Sequence, residues 1–185
     1  MNPRSTPRRA PRPLDPGQLR QLALAYVGRF ATTRAKLINY LGRKLRERGW
    51  EAAEEPALEA LAERMAQLHY VDDAAYAVDK ARSLGQRGYG ARRVDLALRQ
   101  AGVGDDDGLA ARSAASEAAA ASAVRFAQRK RIGPFRNGER ELKQAQRDLN
   151  AMLRAGHDFG LSKRLLEMAP GDTDQLEKRI SEWRN

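Results

Sequence analysis

Residues 82–103 carry the side chains and the backbone most suited to binding an anion. The segment has glycines at positions 85, 88 and 90 and five arginines. A glycine-rich loop can cradle a phosphate, but a dinucleotide loop requires a preceding strand and the order GxGxxG. The order here is GxxGxG, between two predicted helices. We therefore expect Gly85 or Gly88 to end one helix and Gly90 to let the next helix begin at close approach.

The second of these helices would project three arginines. Arg92 and Arg99 are seven residues apart and share a helical face, and Arg93 stands beside that face. The arginines either contact a polyanion or are the solvated side chains of an ordinary helix hairpin. Spacing alone leaves both interpretations open.

No group of residues points to catalysis or to a metal. The two histidines, His69 and His157, do not belong to a metal-binding motif, and we expect both to be helix-cap or surface groups. Two acidic groups, Asp72 with Asp73 and residues 105–107, precede helical stripes, so capping explains them. The sequence has neither a nucleophile elbow nor a Walker-type loop. We expect no enzymatic activity, no metal and no cofactor.

The composition predicts an all-α protein. The 185 residues are 42% hydrophobic and 6% aromatic, are rich in helix formers and contain no alternating run of β-branched residues. The absence of cysteine excludes disulfides and thiolate zinc sites and suits a reducing compartment. No apolar run resembles a secretory signal or a membrane span, so the expected location is the cytoplasm.

Charge is distributed in blocks. The net charge is +10, and the first 50 residues hold 12 Lys or Arg against two acids. An acidic block (51–79) is followed by basic blocks (80–99 and 125–154). A basic stripe is typical of proteins that bind a polyanion such as nucleic acid, although such blocks can also be solvated helix faces or intramolecular complements. Residues 1–16, rich in proline and arginine, are predicted to be a disordered arm, either a solvated tail or a phosphate-seeking one.

Apolar residues recur at helical spacing and indicate a repeated unit. The segments "LGRKLRERGW", "VDLALRQAGV" and "LNAMLRAGHD" each place an apolar residue, a leucine four positions later, then Arg and Gly. Their leucines, Leu45, Leu98 and Leu153, are 53 and 55 residues apart. Periods of this size mark stacked supersecondary units. We predict three-helix repeats over 17–69, 70–111 and 112–185, the last with a C-terminal helix, and a junction between helices near Ser113.

The segment "HYVDDAAYAVDKARSLGQRGYGARRVDLALRQAGV" resembles the central motif of the RecX family of recombination regulators. His69, Ala97 and Ala101 stand where that family usually has a glycine, an acid and a lysine. The resemblance extends over residues from about 19 to 169. It assigns motif roles to Tyr70, Val71, Asp72, Asp73, Tyr76, Ala77, Arg82, Gly88, Gly90, Arg93, Leu98, Gly102 and Val103.

This resemblance implies both a fold and a function. The fold would be an elongated, curved array of tandem three-helix repeats. The protein would bind in the groove of the RecA–DNA filament and modulate, usually inhibit, filament growth, strand exchange and ATP hydrolysis. It would thereby regulate DNA repair, homologous recombination and the SOS response. The expected partners are the RecA filament and single- and double-stranded DNA, with no membrane, and the protein is expected to be a monomer.

The basic side chains expected to contact the anionic partner come from all three repeats. They are Arg43, Lys44, Arg46, Arg92, Arg93, Arg129, Lys130, Arg136, Lys143 and Arg147. Two alternatives remain open at this point. One is a stand-alone helix-turn-helix regulator that places the Arg92 helix in a major groove. The other is a protein-interaction scaffold whose basic faces are only solvated.

Overall fold

The computed structural model describes residues 12–138, 142–174 and 176–183. These residues form α-helices, one short 3-10 turn and an isolated bridge between Leu14 and Trp50. The prediction of an all-α protein is confirmed. The chain divides between Asp72 and Asp73 into two compact units. Within the described residues, none of the helices is long and apolar enough to cross a membrane.

The first unit contains three helices, and the first two begin at a capping side chain. They are α1 (Pro16–Val27), α2 (Arg34–Arg48) and α3 (Leu58–Gln67). An Asp15 carboxylate oxygen accepts from the Gln18 N–H at 2.8 Å, and the Thr33 hydroxyl accepts from the Lys36 N–H at 3.1 Å. These bonds satisfy N–H groups that have no partner within the helix. The core of this unit includes Leu19, Ala23, Leu37, Leu41, Ala62 and Met65.

The end of the predicted disordered arm, around Leu14, is part of the folded first unit. Residues 1–11 lie outside the described residues, but Leu14 is fully buried in the core of the first unit. Its N–H donates to the Gly49 carbonyl, and its own carbonyl accepts from the Glu51 N–H, both at 3.0 Å. Burial of an isobutyl side chain, worth about 2 kcal/mol, holds this segment to the end of α2.

Helix α3 ends on a histidine in an unusual conformation. His69 has a φ of 59°, in the left-handed region that favours glycine. The His69 N–H donates to the Ala66 carbonyl at 2.8 Å and the Tyr70 N–H to the Met65 carbonyl at 2.9 Å. This is the Schellman pattern, in which the left-handed residue closes the helix. The prediction of a cap role for His69 is confirmed, and the Tyr70 side chain is 55% exposed.

The second unit contains the remaining helices. They are α4 (Asp73–Gln86), α5 (Ala91–Gln100), α6 (Asp105–Glu117), α7 (Ala119–Lys130), α8 (Leu142–Arg154), α9 (Phe159–Glu167) and α10 (Leu176–Trp183), with a 3-10 turn (Gly133–Phe135) after α7. Helices α4 to α6 surround one cluster of buried residues, and α7 to α10 surround another. These are the second and third repeats.

The boundary between these repeats lies later than predicted. Helix α6 runs through the expected boundary at 111/112 and past the expected junction near Ser113, and it ends at Glu117. The reason is packing, since Ala111 is 1% exposed within the core of the second repeat and Ala115 packs against it. The junction between the two repeats is therefore at Ala118.

The acidic start of α4 agrees with the predicted capping role. Asp73 is the first residue of the helix and is buried, which places Asp72 at the N-cap position. Both carboxylates therefore lie at the positive end of the helix dipole. Tyr76, one turn into the helix, is half-buried against the core of the second repeat.

The structure places different residues at equivalent positions near the ends of the repeated helices than the sequence alignment does. The fully buried apolar residues near the ends of the middle helices are Leu41, Leu98 and Met152, rather than Leu45, Leu98 and Leu153. Helix α2 extends about one turn further than α5, which leaves Leu45 only partly buried. In the third copy, Gly156 follows Leu153 by three residues instead of four, so the buried position moves to Met152.

Candidate nucleic-acid interface

The glycine-rich segment ends α4 with a Schellman motif. Gly88 has a φ of 75°, its N–H donates to the Gly85 carbonyl at 2.9 Å, and the Tyr89 N–H donates to the Leu84 carbonyl at 3.0 Å. The prediction that Gly85 or Gly88 ends this helix is confirmed for Gly88. Gly102 and Gly156 end α5 and α8 with the same pair of bonds.

Gly90 begins α5 against the end of α8. The Gly90 N–H donates to the Ala155 carbonyl at 2.9 Å, and the Arg92 N–H donates to the Gly156 carbonyl at 3.2 Å. A Cβ atom on Gly90 would lie 2.3 Å from the Gly156 carbonyl oxygen, so no larger residue fits without a shift of the backbone. The predicted close approach is therefore confirmed. These N–H groups are used inside the protein, which rules out a phosphate cradle built from them.

Gly88 also has a packing role between the repeats. A Cβ atom there would lie 2.8 Å from the Phe126 backbone nitrogen on α7. Together, Gly88 and Gly90 allow the loop between α4 and α5 to touch both α7 and the loop after α8. The glycines thus join the second repeat to the third.

His157 lies in this junction. Its backbone N–H caps α8 by donating to the Met152 carbonyl at 3.1 Å, as a cap role requires, but the prediction of a surface position for its side chain is wrong. The side chain is 2% exposed, and its ring lies 5.4 Å from the Phe126 ring. Its Nε2 is 3.0 Å from the Gly88 carbonyl oxygen. Because a carbonyl only accepts, Nε2 carries a proton and donates it to this bond.

Burial sets the protonation of His157. Burial lowers the pKa of the imidazole below its ordinary value, and the hydrogen bond to Gly88 opposes this shift only in part. Its Nδ1 is buried and has no hydrogen-bond partner among the described residues. The side chain therefore holds the two repeats together as a neutral donor and takes no part in an exposed site.

The two adjacent arginines of α5 have different surroundings. Arg92 donates from its guanidinium to an Asp158 carboxylate oxygen at 3.1 Å, which links α5 to the start of α9. Partial burial raises the pKa of Asp158, but hydrogen bonds from the Leu161 and Gly160 N–H groups and the Arg92 charge lower it by more. Arg93 is exposed and has no ion-pair partner among the described residues.

Arg99, on the same helix, is partly neutralised within the protein. Its guanidinium lies 3.0 Å from an Asp95 carboxylate oxygen, and Arg112 of α6 lies 2.9 Å from the other oxygen. Slight burial raises the pKa of Asp95, but the hydrogen bonds from the two guanidinium groups lower it by more. This network stabilises the second repeat and leaves Arg93 as the cation of α5 that is open to a partner.

Arginines of α7 reach back over the glycine-rich segment. The Arg125 guanidinium donates to the Gly85 carbonyl at 3.2 Å, and the Arg129 guanidinium donates to the Arg87 carbonyl. The Arg87 and Arg129 guanidinium carbons lie 5.5 and 5.9 Å from the Tyr89 ring centroid. We call Arg87, Tyr89, Arg125 and Arg129 the arginine–tyrosine cluster. Arg87 and Arg125 were not among the predicted contacts, although both lie in basic blocks of the sequence.

A cavity of about 300 Å³ lies beside this cluster. Five of its 13 lining residues are alanines, four of them on α4 and α6, and Arg82, Tyr89 and Arg125 also line it. The lining contains no carboxylate, thiol or imidazole. The cavity therefore offers apolar surface, positive charge and the hydroxyl-bearing residues Ser122 and Tyr89.

Arg136 differs from the other predicted contacts because it points inward. Its Nη1 donates to the Gly133 carbonyl at 2.9 Å and to the Met168 carbonyl at 2.8 Å, and the Leu166 carbonyl lies 3.5 Å away. The Leu166 and Met168 carbonyls lie at the end of α9 and just beyond it, where a cation is favourable, and the Gly133 carbonyl lies in the 3-10 turn. The geometry gives Arg136 a structural role, and we withdraw it from the anion contacts.

The remaining predicted contacts lie at the surface. In the first unit, Arg46 is exposed, whereas Lys44 and Arg43 pair with Glu47 at 2.6 and 3.7 Å. The hydrogen bond from Lys44 lowers the pKa of Glu47, and the charges of Lys44, Arg43 and Arg46 act in the same direction, against slight desolvation. In the second unit, the predicted contacts on α7 and α8 are all exposed, namely Arg129, Lys130, Lys143 and Arg147, and Arg125 and Arg154 on the same helices are exposed as well.

The described residues therefore provide separate basic patches. Within the described residues, no group of histidines and carboxylates has an arrangement that could hold a metal ion. The first unit carries its patch on α2, and the second unit carries patches on α5, α7 and α8. Guanidinium and ammonium groups of this kind bind phosphate oxygens.

The chain is similar to known regulatory proteins. No protein-family model matches it. A "Regulatory protein RecX" from Myxococcus xanthus (strain DK1622) is 35% identical over 171 residues, which cover 86% of this chain and 90% of that protein.

Solved structures show the same fold. The crystal structure of RecX from Lactobacillus salivarius matches with a TM-score of 0.58 and 16% identity over 82% of this chain and 94% of that one. A crystal structure described as regulatory protein RecX matches with a TM-score of 0.57 and 19% identity over 80% and 70%. The sequence relationship covers most of both proteins, and the tandem helical repeats agree with it. The chain therefore belongs to the RecX family of regulatory proteins.

Proposed function

We propose that this protein binds the RecA–DNA filament and inhibits RecA filament growth, strand exchange and ATP hydrolysis. It would thereby regulate DNA repair and homologous recombination without catalysing a reaction itself. The observation that carries the proposal is the 35% identity to a regulatory protein RecX over 86% of the chain. The proposal includes DNA as a direct partner and a monomer acting in the cytoplasm.

The distribution of unpaired positive charge supports a polyanion partner. Arg93, Lys143 and Arg147 are exposed in the second unit and have no acidic partner among the described residues. When such groups neutralise phosphates, counterions are released and the affinity falls with salt. A protein whose basic faces were only solvated would show no such dependence.

The helix-turn-helix alternative is less compatible with α5. A recognition helix contacts base edges through its N-terminal residues. In this protein the first turn of α5 packs on the end of α8, and Arg92 is bonded to Asp158. Insertion of α5 into a major groove would require these contacts to break. This argues for a partner that is contacted along several repeats.

The proposal can be tested by charge reversal at the unpaired cations. We expect the triple variant Arg93→Glu, Lys143→Glu and Arg147→Glu to bind single-stranded DNA more weakly and to inhibit RecA ATP hydrolysis less. If each residue neutralises one phosphate, the slope of log affinity against log salt becomes shallower by about 2. The substituted side chains are exposed, so circular dichroism and the melting temperature should change little.

The single variant Arg93→Glu, compared with a control of equal charge change, separates the effect of the site from the effect of the charge. Lys163→Glu makes the same kind of change on α9, at an exposed side chain that pairs with Glu167. We expect this variant to keep near-normal affinity and salt slope. If the triple variant were folded and retained full inhibition and the normal slope, the proposed contacts would be wrong.

A further inference from the structure

Three aromatic side chains form a continuous row in the first unit. The rings of Tyr26 and Tyr40 stack with centroids 4.2 Å apart and an interplanar angle of 15°. The Phe30 ring lies 5.3 Å from the Tyr26 ring at 49°. We call these three residues the aromatic row. The whole sequence has only 11 aromatic residues, so three in contact at one surface are a marked concentration.

Packing accounts for two members of the row but not for Phe30. Tyr26 and Tyr40 pack against the core of the first unit. Phe30 is 56% exposed and lies outside that core. Its backbone is nevertheless held, because the Phe30 N–H donates to the Tyr26 carbonyl at 3.1 Å. The ring is therefore presented to solvent from a fixed position.

Cations border the other end of the row. The Arg43 guanidinium carbon lies 5.7 Å from the Tyr40 ring centroid, and the Lys44 ammonium nitrogen lies 6.0 Å from it. Glu47 is the acidic group paired with both, so the two cations and one carboxylate leave net positive charge. Exposed Arg29 precedes Phe30 in the chain and adds another cation.

Proteins that bind single-stranded nucleic acids combine exposed aromatic rings with nearby positive charge. Unpaired bases stack on aromatic rings, and nearby cations hold the phosphates. Duplex DNA does not offer its base faces in this way. The charge complementarity and the exposed ring therefore favour one occupant over a protein helix or a duplex.

We propose that the aromatic row, with Arg43 and Lys44, is a stacking site for an unpaired base of single-stranded DNA. Phe30 provides the open ring face, and the cations contact the adjoining phosphates. This inference rests on the DNA partner in the proposed function, and it adds a base contact to the phosphate contacts described above.

Two oligonucleotides of equal charge test the stacking. One is a 20-nucleotide oligothymidine, and the other is an abasic strand of the same length. We expect the wild-type protein to bind the oligothymidine more tightly. Phe30→Ala should lower the affinity for oligothymidine by roughly fivefold to 100-fold and leave the affinity for the abasic strand unchanged. Phe30→Trp should keep the preference, and Leu24→Ala, which truncates an exposed apolar side chain of α1, should change neither affinity.

The outcomes distinguish this inference from the proposed function. If the wild-type protein bound neither strand, DNA binding and the stacking site would both be wrong. If it bound both strands equally and Phe30→Ala changed nothing, only the stacking site would be wrong. If Phe30→Ala weakened inhibition of RecA with DNA affinities unchanged, the row would contact protein, and the inference would be overturned.

Discussion

Substitution by alanine should have opposite effects on stability at Gly90 and at Gly85, which lie in the same short segment. Gly90→Ala introduces a methyl group 2.3 Å from the Gly156 carbonyl oxygen and 2.6 Å from the His157 nitrogen, both backbone atoms. The φ of Gly90 is −79°, which alanine adopts readily, so the cost is steric only. Gly85→Ala places its methyl group where no heavy atom lies within 4 Å.

The expected change in the free energy of unfolding follows from the hydrogen bonds that each substitution breaks or leaves intact. Gly90→Ala moves α5 away from the end of α8, which breaks the Gly90 to Ala155 and Arg92 to Gly156 hydrogen bonds and disturbs the His157 bond to Gly88. At about 1 kcal/mol each, these bonds give a loss of about 3 kcal/mol in the free energy of unfolding of the second unit. Gly85→Ala lies within α4 and should raise this free energy by about 0.5–1 kcal/mol.

Each unit carries one tryptophan, which allows the assay to be specific. Trp50 packs in the first unit and Trp183 in the second. In a Trp50→Phe background, denaturant unfolding followed by Trp183 fluorescence reports on the second unit alone. We expect the midpoint to fall for Gly90→Ala and to rise for Gly85→Ala. If both substitutions had the same sign, or if Gly90→Ala had no effect, the account of the junction between the second and third repeats would be refuted.

Three further predictions follow from single side chains. His69→Gly should raise the stability of the first unit by about 1 kcal/mol, measured by chemical unfolding, because it removes a left-handed non-glycine residue; an unchanged stability would contradict this. Burial lowers the pKa of His157, so its contribution to stability is present above the ordinary pKa of ~6.5 and is lost as the pH falls below it. His157→Gln should therefore flatten the pH dependence of the free energy of unfolding below the ordinary pKa of about 6.5, and an unchanged slope would count against the assignment. Arg136→Met should lower the melting temperature, at a cost of about 2 kcal/mol for the lost bonds to the Met168 and neighbouring carbonyls, without altering the salt slope of DNA binding; a shallower salt slope would restore Arg136 to the DNA contacts.

The helices and the glycine breaks were readable from the sequence because they depend on local physics. Apolar spacing, the Thr33 cap and the Gly88 helix end are all set by residues within one turn of each other. The close approach at Gly90 was also predictable, because a glycine at a helix start has no Cβ atom and allows another backbone segment to come near. The sequence alignment placed Leu153 at the buried position of the third repeat, but Met152 occupies it. The third copy has one residue fewer between its leucine and its glycine than the other two copies, and this moves the buried position by one residue.

The missed features depend on contacts between distant segments. His157 is buried by the loop at Gly88, 69 residues away, and nothing local to His157 indicates that. Arg136 belongs to a basic block, but the carbonyls that accept from it lie about 30 residues further along the chain. The aromatic row likewise combines α1 with α2 through the Tyr26–Tyr40 stack. The spacing of such side chains in the sequence does not determine which of them meet in the fold.

The most direct test of the central claim is the rate of single-strand-dependent ATP hydrolysis by the cognate RecA during filament assembly. The protein would be titrated from well below the RecA concentration up to equality. We expect the rate to fall as the protein is added, and the charge-reversed triple variant to inhibit less than Lys163→Glu. An unchanged rate at every ratio, with binding to duplex DNA intact, would contradict a role as a RecA regulator.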